Sequence, residues 1–188
     1  MRSLKFLSIA LLVTVLLAPA LIKANADPMP VTVRPAPPLA PGEWVNGAPT
    51  TIAAQKGKVV VLLFWTYECI NCEHNLGFWN DWAKEYKNSD VSVISVHTPE
   101  LPAERVHANV RAFCANRGLV FPVITDNGAE TWRAYGIEYW PSEVLIDKEG
   151  RIRYIFGGEL NWQGSGEYKT VHRLIEELRH ETSPATSG

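Results

Sequence analysis

Cys69-Ile70-Asn71-Cys72 sets two thiols three residues apart. At the first turn of a helix that spacing puts both on one face, close enough to form a disulfide and to reopen it. The apolar run Val59-Val60-Val61-Leu62-Leu63-Phe64-Trp65 stands just ahead, and a helical pattern begins at Cys69. A bare C-x-x-C is a weak signal, but one mounted between a buried strand and a helix is what a dithiol redox enzyme needs. Cys69 is the expected attacking thiol, because unpaired N–H groups and the positive end of the helix dipole lower a thiol pKa there. Glu68 and Glu73 disfavour a further negative charge, and no Lys or Arg between Leu63 and Gly77 offsets them. The expectation is a moderately perturbed thiol poised toward reduction, with Cys72 one turn deeper to resolve a mixed disulfide.

Other chemistries of the same residues fare worse. Covalent haem needs His directly after the second cysteine, but Glu73 stands there and His74 comes one residue late. Cu(I) or zinc held by Cys69, Cys72 and either His74 or His97 is the non-enzymatic alternative, since thiolates suit soft metals. One C-x-x-C without a second ligand pair is a poor structural zinc site, so no metal is expected. Cys114 falls on an apolar helix face and reads as an inert core thiol. Three cysteines are too few for a disulfide scaffold. A formal charge of -2 with no basic cluster gives no reason to expect nucleic-acid binding.

The elements that must position the dithiol alternate along the chain. Val59 to Trp65, Val91 to Val96 and Phe121 to Thr125 read as strands. Between them, Cys72, Leu76, Trp79, Trp82 or Ala83, and Tyr86 mark one helix, and Val106, Val110, Phe113, Cys114 and Arg117 a second, ended by Gly118. A short helix over Thr131 to Tyr135 follows. Glu143 to Ile146 and Ile152 to Phe156 flank the turn Asp147-Lys148-Glu149-Gly150, and Tyr168, Val171, Leu174, Ile175 and Leu178 line a last helix. Such alternation gives an α/β fold, a mixed sheet with helices on both faces.

The first 26 residues read as a leader. Arg2 and Lys5 precede an apolar stretch from Phe6 to Ile22, and Ala24-Asn25-Ala26 suits signal cleavage. Cleavage after Ala26 leaves 162 residues and a soluble extracytoplasmic protein; the alternative is an uncleaved helix that anchors the chain to the membrane. Residues 27–41, with Pro28, Pro30, Pro35, Pro37, Pro38 and Pro41, read as an extended tether that pairs in no sheet. The folded domain is expected over 42–182, with 183–188 as a frayed tail.

Gly57-Lys58 followed by VVVLLFW, then Thr66-Tyr67-Glu68-Cys69-Ile70-Asn71-Cys72, resembles thioredoxin-fold proteins of the TlpA and DipZ group. The resemblance continues through Val96-His97-Thr98-Pro99-Glu100, Tyr139-Trp140-Pro141 and Leu145-Ile146-Asp147. It implies a thioredoxin fold with an inserted helix and strand, here about 103–125, and an exported, periplasmic or otherwise extracytoplasmic thiol-disulfide oxidoreductase. The Cys69–Cys72 pair is then its only redox centre. The implied partners are oxidised client proteins and a membrane thiol-electron transporter as reductant, and the protein is expected to be a monomer. Disulfide oxidase or isomerase activity is the alternative within the same chemistry.

The resemblance also implies a cis bond at Trp140-Pro141, placed against the dithiol to pair with substrate, with Trp65 and Trp140 as walls. Core packing is the other reading of both tryptophans. The pattern departs from thioredoxin in three places: Leu63 replaces a buried Asp, Glu68 a Trp, and Gly77 a Pro. Glu143, two residues past the proline, either replaces the missing acid as proton acceptor for Cys72 or faces solvent at a strand start. Glu68 is a second candidate for proton transfer.

Overall fold

Val59–Trp65 forms the central strand of a seven-stranded sheet, and each of its residues is buried. The computed structural model describes residues 30–181; the expected leader over 1–26 and the tail over 183–188 lie outside the described residues. In chain order the strands are β1 Pro30–Pro35, β2 Trp44–Asn46, β3 Val59–Trp65, β4 Val91–His97, β5 Val123–Thr125, β6 Ser142–Ile146 and β7 Arg151–Gly157. The helices are α1 Ile70–Glu85, α2 His107–Asn116, α3 Glu130–Tyr135 and α4 Glu167–His180. The strand order is β1-β7-β6-β3-β4-β5-β2. β3 runs parallel to β4, and β4 to β5, whereas β6 lies antiparallel on the other side of β3.

The continuous apolar run of β3 reflects cover on both faces. Val59, Val61, Leu63 and Trp65 join the core beneath α1, α2 and α4, with Trp79, Trp82, Val110, Leu174 and Ile175. Val60, Leu62 and Phe64 join a second core with Ile94, Val96, Tyr135 and Ile146. Each fully buried side chain of this size stabilises the fold by about 1.5–3 kcal/mol. The thioredoxin-like fold with an inserted helix–strand unit, α2 and β5, is thus present.

Two expectations are corrected. Residues 30–35 of the Pro-rich segment do not form a tether: β1 pairs antiparallel with β7, Arg34 opposite Ile152 and Pro35 opposite Arg151. Proline is tolerated because β1 is an edge strand and both of its prolines stand at its ends. Val31, Ala36 and Leu39 then pack against the second core, and the Tyr135 hydroxyl donates to the Pro37 carbonyl at 2.7 Å. The third predicted strand begins at Val123 rather than Phe121, and β2, which the pattern did not reveal, pairs antiparallel with it.

Candidate active site

α1 starts just beyond the end of β3. The intervening turn closes through the Cys69 N–H on the Thr66 carbonyl at 3.4 Å. Cys69 is the N-cap, in extended backbone, and its Sγ accepts the Cys72 N–H at 3.3 Å, as a Ser or Asp oxygen does elsewhere. Cys69 is partly exposed, while Cys72 is buried. A hydrogen bond from the Cys72 side chain, aided by the N–H groups of Cys72 and Asn71, lowers the Cys69 thiol to about 7; partial burial and the charge of Glu100 oppose this. Burial, with the bond given to Cys69, pushes Cys72 far above the ordinary thiol range. One sulfur is a nucleophile near neutral pH and the other holds its proton.

The moderate perturbation agrees with the sequence, but the charges responsible differ. Glu73 pairs with Arg117, whose guanidinium also lies 5.3 Å from the Phe113 ring centroid. The offsetting cation comes from the end of α2, beyond the segment in which none was found. Glu68 is exposed, and the site uses its N–H, which donates to Glu104 at 2.9 Å.

Glu143 does not face solvent. It stands opposite Leu63 in the β3–β6 pairing and is 0% exposed. Its Oε1 accepts from Trp79 Nε1 at 2.9 Å and from Asn75 Nδ2 at 3.0 Å, and Oε2 has no hydrogen-bond partner among the described residues. Burial raises this carboxyl to about 8 against those two bonds, and its charge is felt at Cys72. Directly opposed residues share a sheet face, so β6 carries a buried acid at the level where β3 carries Leu63. Asn75, which the sequence reading missed, holds this corner. It donates also to the Gly158 carbonyl at 3.1 Å and accepts the Leu160 N–H at 2.9 Å. Its signal was a polar residue one turn after Cys72 on the buried side of α1.

The Trp140–Pro141 bond is cis. Pro141 is buried, its carbonyl accepting the Gly158 N–H at 2.8 Å, and the β3–β6 register carries it to the level of Trp65. Trp140 is partly buried against Trp132, with ring centroids 4.4 Å apart. Trp65 is not a wall of the site. It is 0% exposed, and its indole donates to Ser95 Oγ at 3.1 Å, because the last residue of β3 is still covered on both faces. Tyr67, which sequence reasoning passed over, lines the turn instead, stacked on His97 and Phe113 with centroids 5.8 and 5.5 Å away.

Each of the two histidines weighed as metal ligands has a side-chain contact of its own. His97 is buried, which lowers it to about 4, and its Nε2 lies 3.3 Å from Thr66 Oγ1. His74 pairs with Glu159 at 3.0 Å. Among the described residues the group able to hold a metal ion is Glu85, His172 and Glu176, which includes neither cysteine. Cys114 is buried, and that burial raises it to about 11.

The Redoxin family model matches residues 25–172. The DipZ proteins of Mycobacterium bovis and Mycobacterium tuberculosis are 38% identical over 144 residues, covering 75% of this chain and 20% of theirs. The chain thus spans about a fifth of the length of these relatives. The thiol-disulfide oxidoreductase ResA of Bacillus thuringiensis is 34% identical over 113 residues, 60% of this chain and 62% of that one. A solved thiol-disulfide isomerase from Corynebacterium glutamicum superposes with a TM-score of 0.67 at 27% identity, covering 78% of this chain and 98% of that one.

Proposed function

We propose that this chain, which belongs to the Redoxin family, is a thioredoxin-like thiol-disulfide oxidoreductase that works outside the cytoplasm as a reductant of disulfides in client proteins. The observation that carries this is the division of labour in the dithiol: a partly exposed Cys69 lowered to about 7, and a buried Cys72 beside the buried Glu143. Cys69 thiolate attacks one sulfur of the client disulfide, and the other sulfur leaves as a thiolate and takes up a proton. Once Cys69 is in the mixed disulfide, its charge and its hydrogen bond no longer hold up the Cys72 pKa. The ionised fraction of Glu143, which grows as pH rises toward 8, then accepts the Cys72 proton. Cys72 attacks Cys69 Sγ, the Cys69–Cys72 disulfide forms, and the second client thiolate departs.

Two electrons pass to the client, and a membrane thiol-electron transporter returns them. The dithiol is the whole redox centre in this reading. A thiol at about 7 is far from the roughly 3.5 of a strong oxidant, so the reduced form gains less from its thiolate, which supports the reducing direction. The leader pattern of residues 1–26 supports export. Among the described residues no helix is long and apolar enough to cross a membrane.

Incubating Cys72→Ser with an oxidised protein substrate should accumulate a mixed disulfide on non-reducing gels, and Cys69→Ser should accumulate none. Equal trapping by the two variants would reverse the assignment of attacking and resolving thiols.

A further inference from the structure

Glu104 takes no part in the exchange steps above, yet it is a carboxylate with 0% exposure on the short turn Pro102–Arg105, at the entry to the inserted segment. Both of its oxygens are fully engaged. Oε2 accepts the Glu100 N–H at 2.7 Å and the Leu101 N–H at 2.6 Å. Those two bonds do no more than cap its own turn. Oε1 does something else: it accepts the Thr66 hydroxyl and, at 2.9 Å, the Glu68 N–H, both in the turn that leads into Cys69. Because the Thr66 hydrogen is committed to Glu104, Thr66 Oγ1 accepts from His97 Nε2 at 3.3 Å, and a directed chain runs from His97 through Thr66 to Glu104. Burial opposes ionisation of Glu104, but its four bonds outweigh that and hold the carboxyl below its ordinary value. The carboxylate is therefore charged, and charge-assisted bonds are about twice as strong as neutral ones.

The same inserted segment touches the site twice more, through Phe113 stacked on Tyr67 and Arg117 paired with Glu73. Of the charged groups around the dithiol, Glu73 is neutralised in this way. Glu100, whose N–H Glu104 holds, acts on Cys69, and Glu143 acts on Cys72.

We propose that Glu104 is a positioning residue for thiol exchange: it ties the Thr66–Glu68 turn to the inserted segment and so keeps the Cys69 sulfur in the N-cap position, where the first N–H groups of α1 stabilise its thiolate. The inference rests on Cys69 being the attacking thiol.

Glu104→Gln keeps the size but turns one acceptor oxygen into an NH2 that faces donors. The test is the rate of iodoacetamide alkylation at Cys69 against pH, read by peptide mass spectrometry on the reduced full chain with Cys72 intact. The expected result is a midpoint about one pH unit higher, which is about fivefold slower alkylation at pH 7. The plateau at high pH should be unchanged, which separates loss of thiolate from loss of access. Should Glu104→Gln not fold, Thr66→Val removes the hydroxyl donor and should move the midpoint the same way, while Thr66→Ser restores it. Because Glu104→Gln also removes a negative charge, which by itself lowers a thiol midpoint, the deciding variant is Thr66→Val, which keeps that charge: a folded Thr66→Val with the wild-type midpoint overturns the proposal. If Cys72→Ser still traps substrate in that case, only the role of Glu104 fails and the reading of the dithiol stands.

Discussion

A buried carboxyl and a buried thiol lie below Cys69, and the carboxyl makes the fold sensitive to pH. Glu143 titrates at about 8 in the folded protein against 4.5 ordinarily. Between those values the folded state binds a proton that the unfolded chain has released, so stability falls as pH rises through this window. The contribution is intact below about 4.5 and fully lost above about 8. Glu143→Gln keeps an oxygen for Asn75 and Trp79 but does not ionise. Denaturant unfolding across pH should therefore show the variant more stable than wild type by on the order of 3 kcal/mol at pH 7, with the difference vanishing near pH 4.5. Resolution of the mixed disulfide should slow by roughly a hundredfold in the same variant, the usual scale for losing a general base. A stability difference independent of pH would show that Glu143 does not titrate in this window.

At the scale of elements, the inserted segment and β1 play different parts. The segment containing α2 reaches the dithiol, through Arg117 to Glu73 and through Phe113 to Tyr67. β1 stands at the edge of the sheet, separated from β3 by β7 and β6. It is held by its pairing with β7, by the Arg34 guanidinium donating to the Tyr135 carbonyl at 3.0 Å, and by Val31 on the second core. Deleting the chain through Pro35 should cost about 1–2 kcal/mol in denaturant unfolding, the scale of one partly buried Val and the strand pairing it belongs to. The rate of Cys69 alkylation should not change. A slower Cys69 would mean that this edge is coupled to the site after all.

For the molecule as a whole, the direction of electron flow is the quantity that matters most. The reducing direction proposed above is tested by equilibrating the Cys69–Cys72 pair with a dithiothreitol or glutathione buffer. A potential near or below about -270 mV is expected, and one near about -120 mV would assign an oxidant. The two cores bear on this indirectly. They cover β3 on both faces, so the turn after it and the start of α1 project from a rigid platform, and only Cys69 of the pair is left accessible.

The dithiol, the strand before it, the helix after it and the alternation of elements are legible in the chain because hydrophobic periodicity and C-x-x-C spacing are local properties. The family resemblance added the cis bond at Pro141. Which of the remaining polar residues reach the site depends on long-range packing. Antiparallel register sets Glu143 opposite Leu63, and folding of the insert brings Arg117 to Glu73 and Glu104 to Thr66. The same holds for Trp65, whose position near the thiols in sequence says nothing of the cover that buries it, and for β1, whose prolines are harmless only at an edge. Such contacts join residues far apart in the chain, and no local pattern records which strand will pair with which, or in what register.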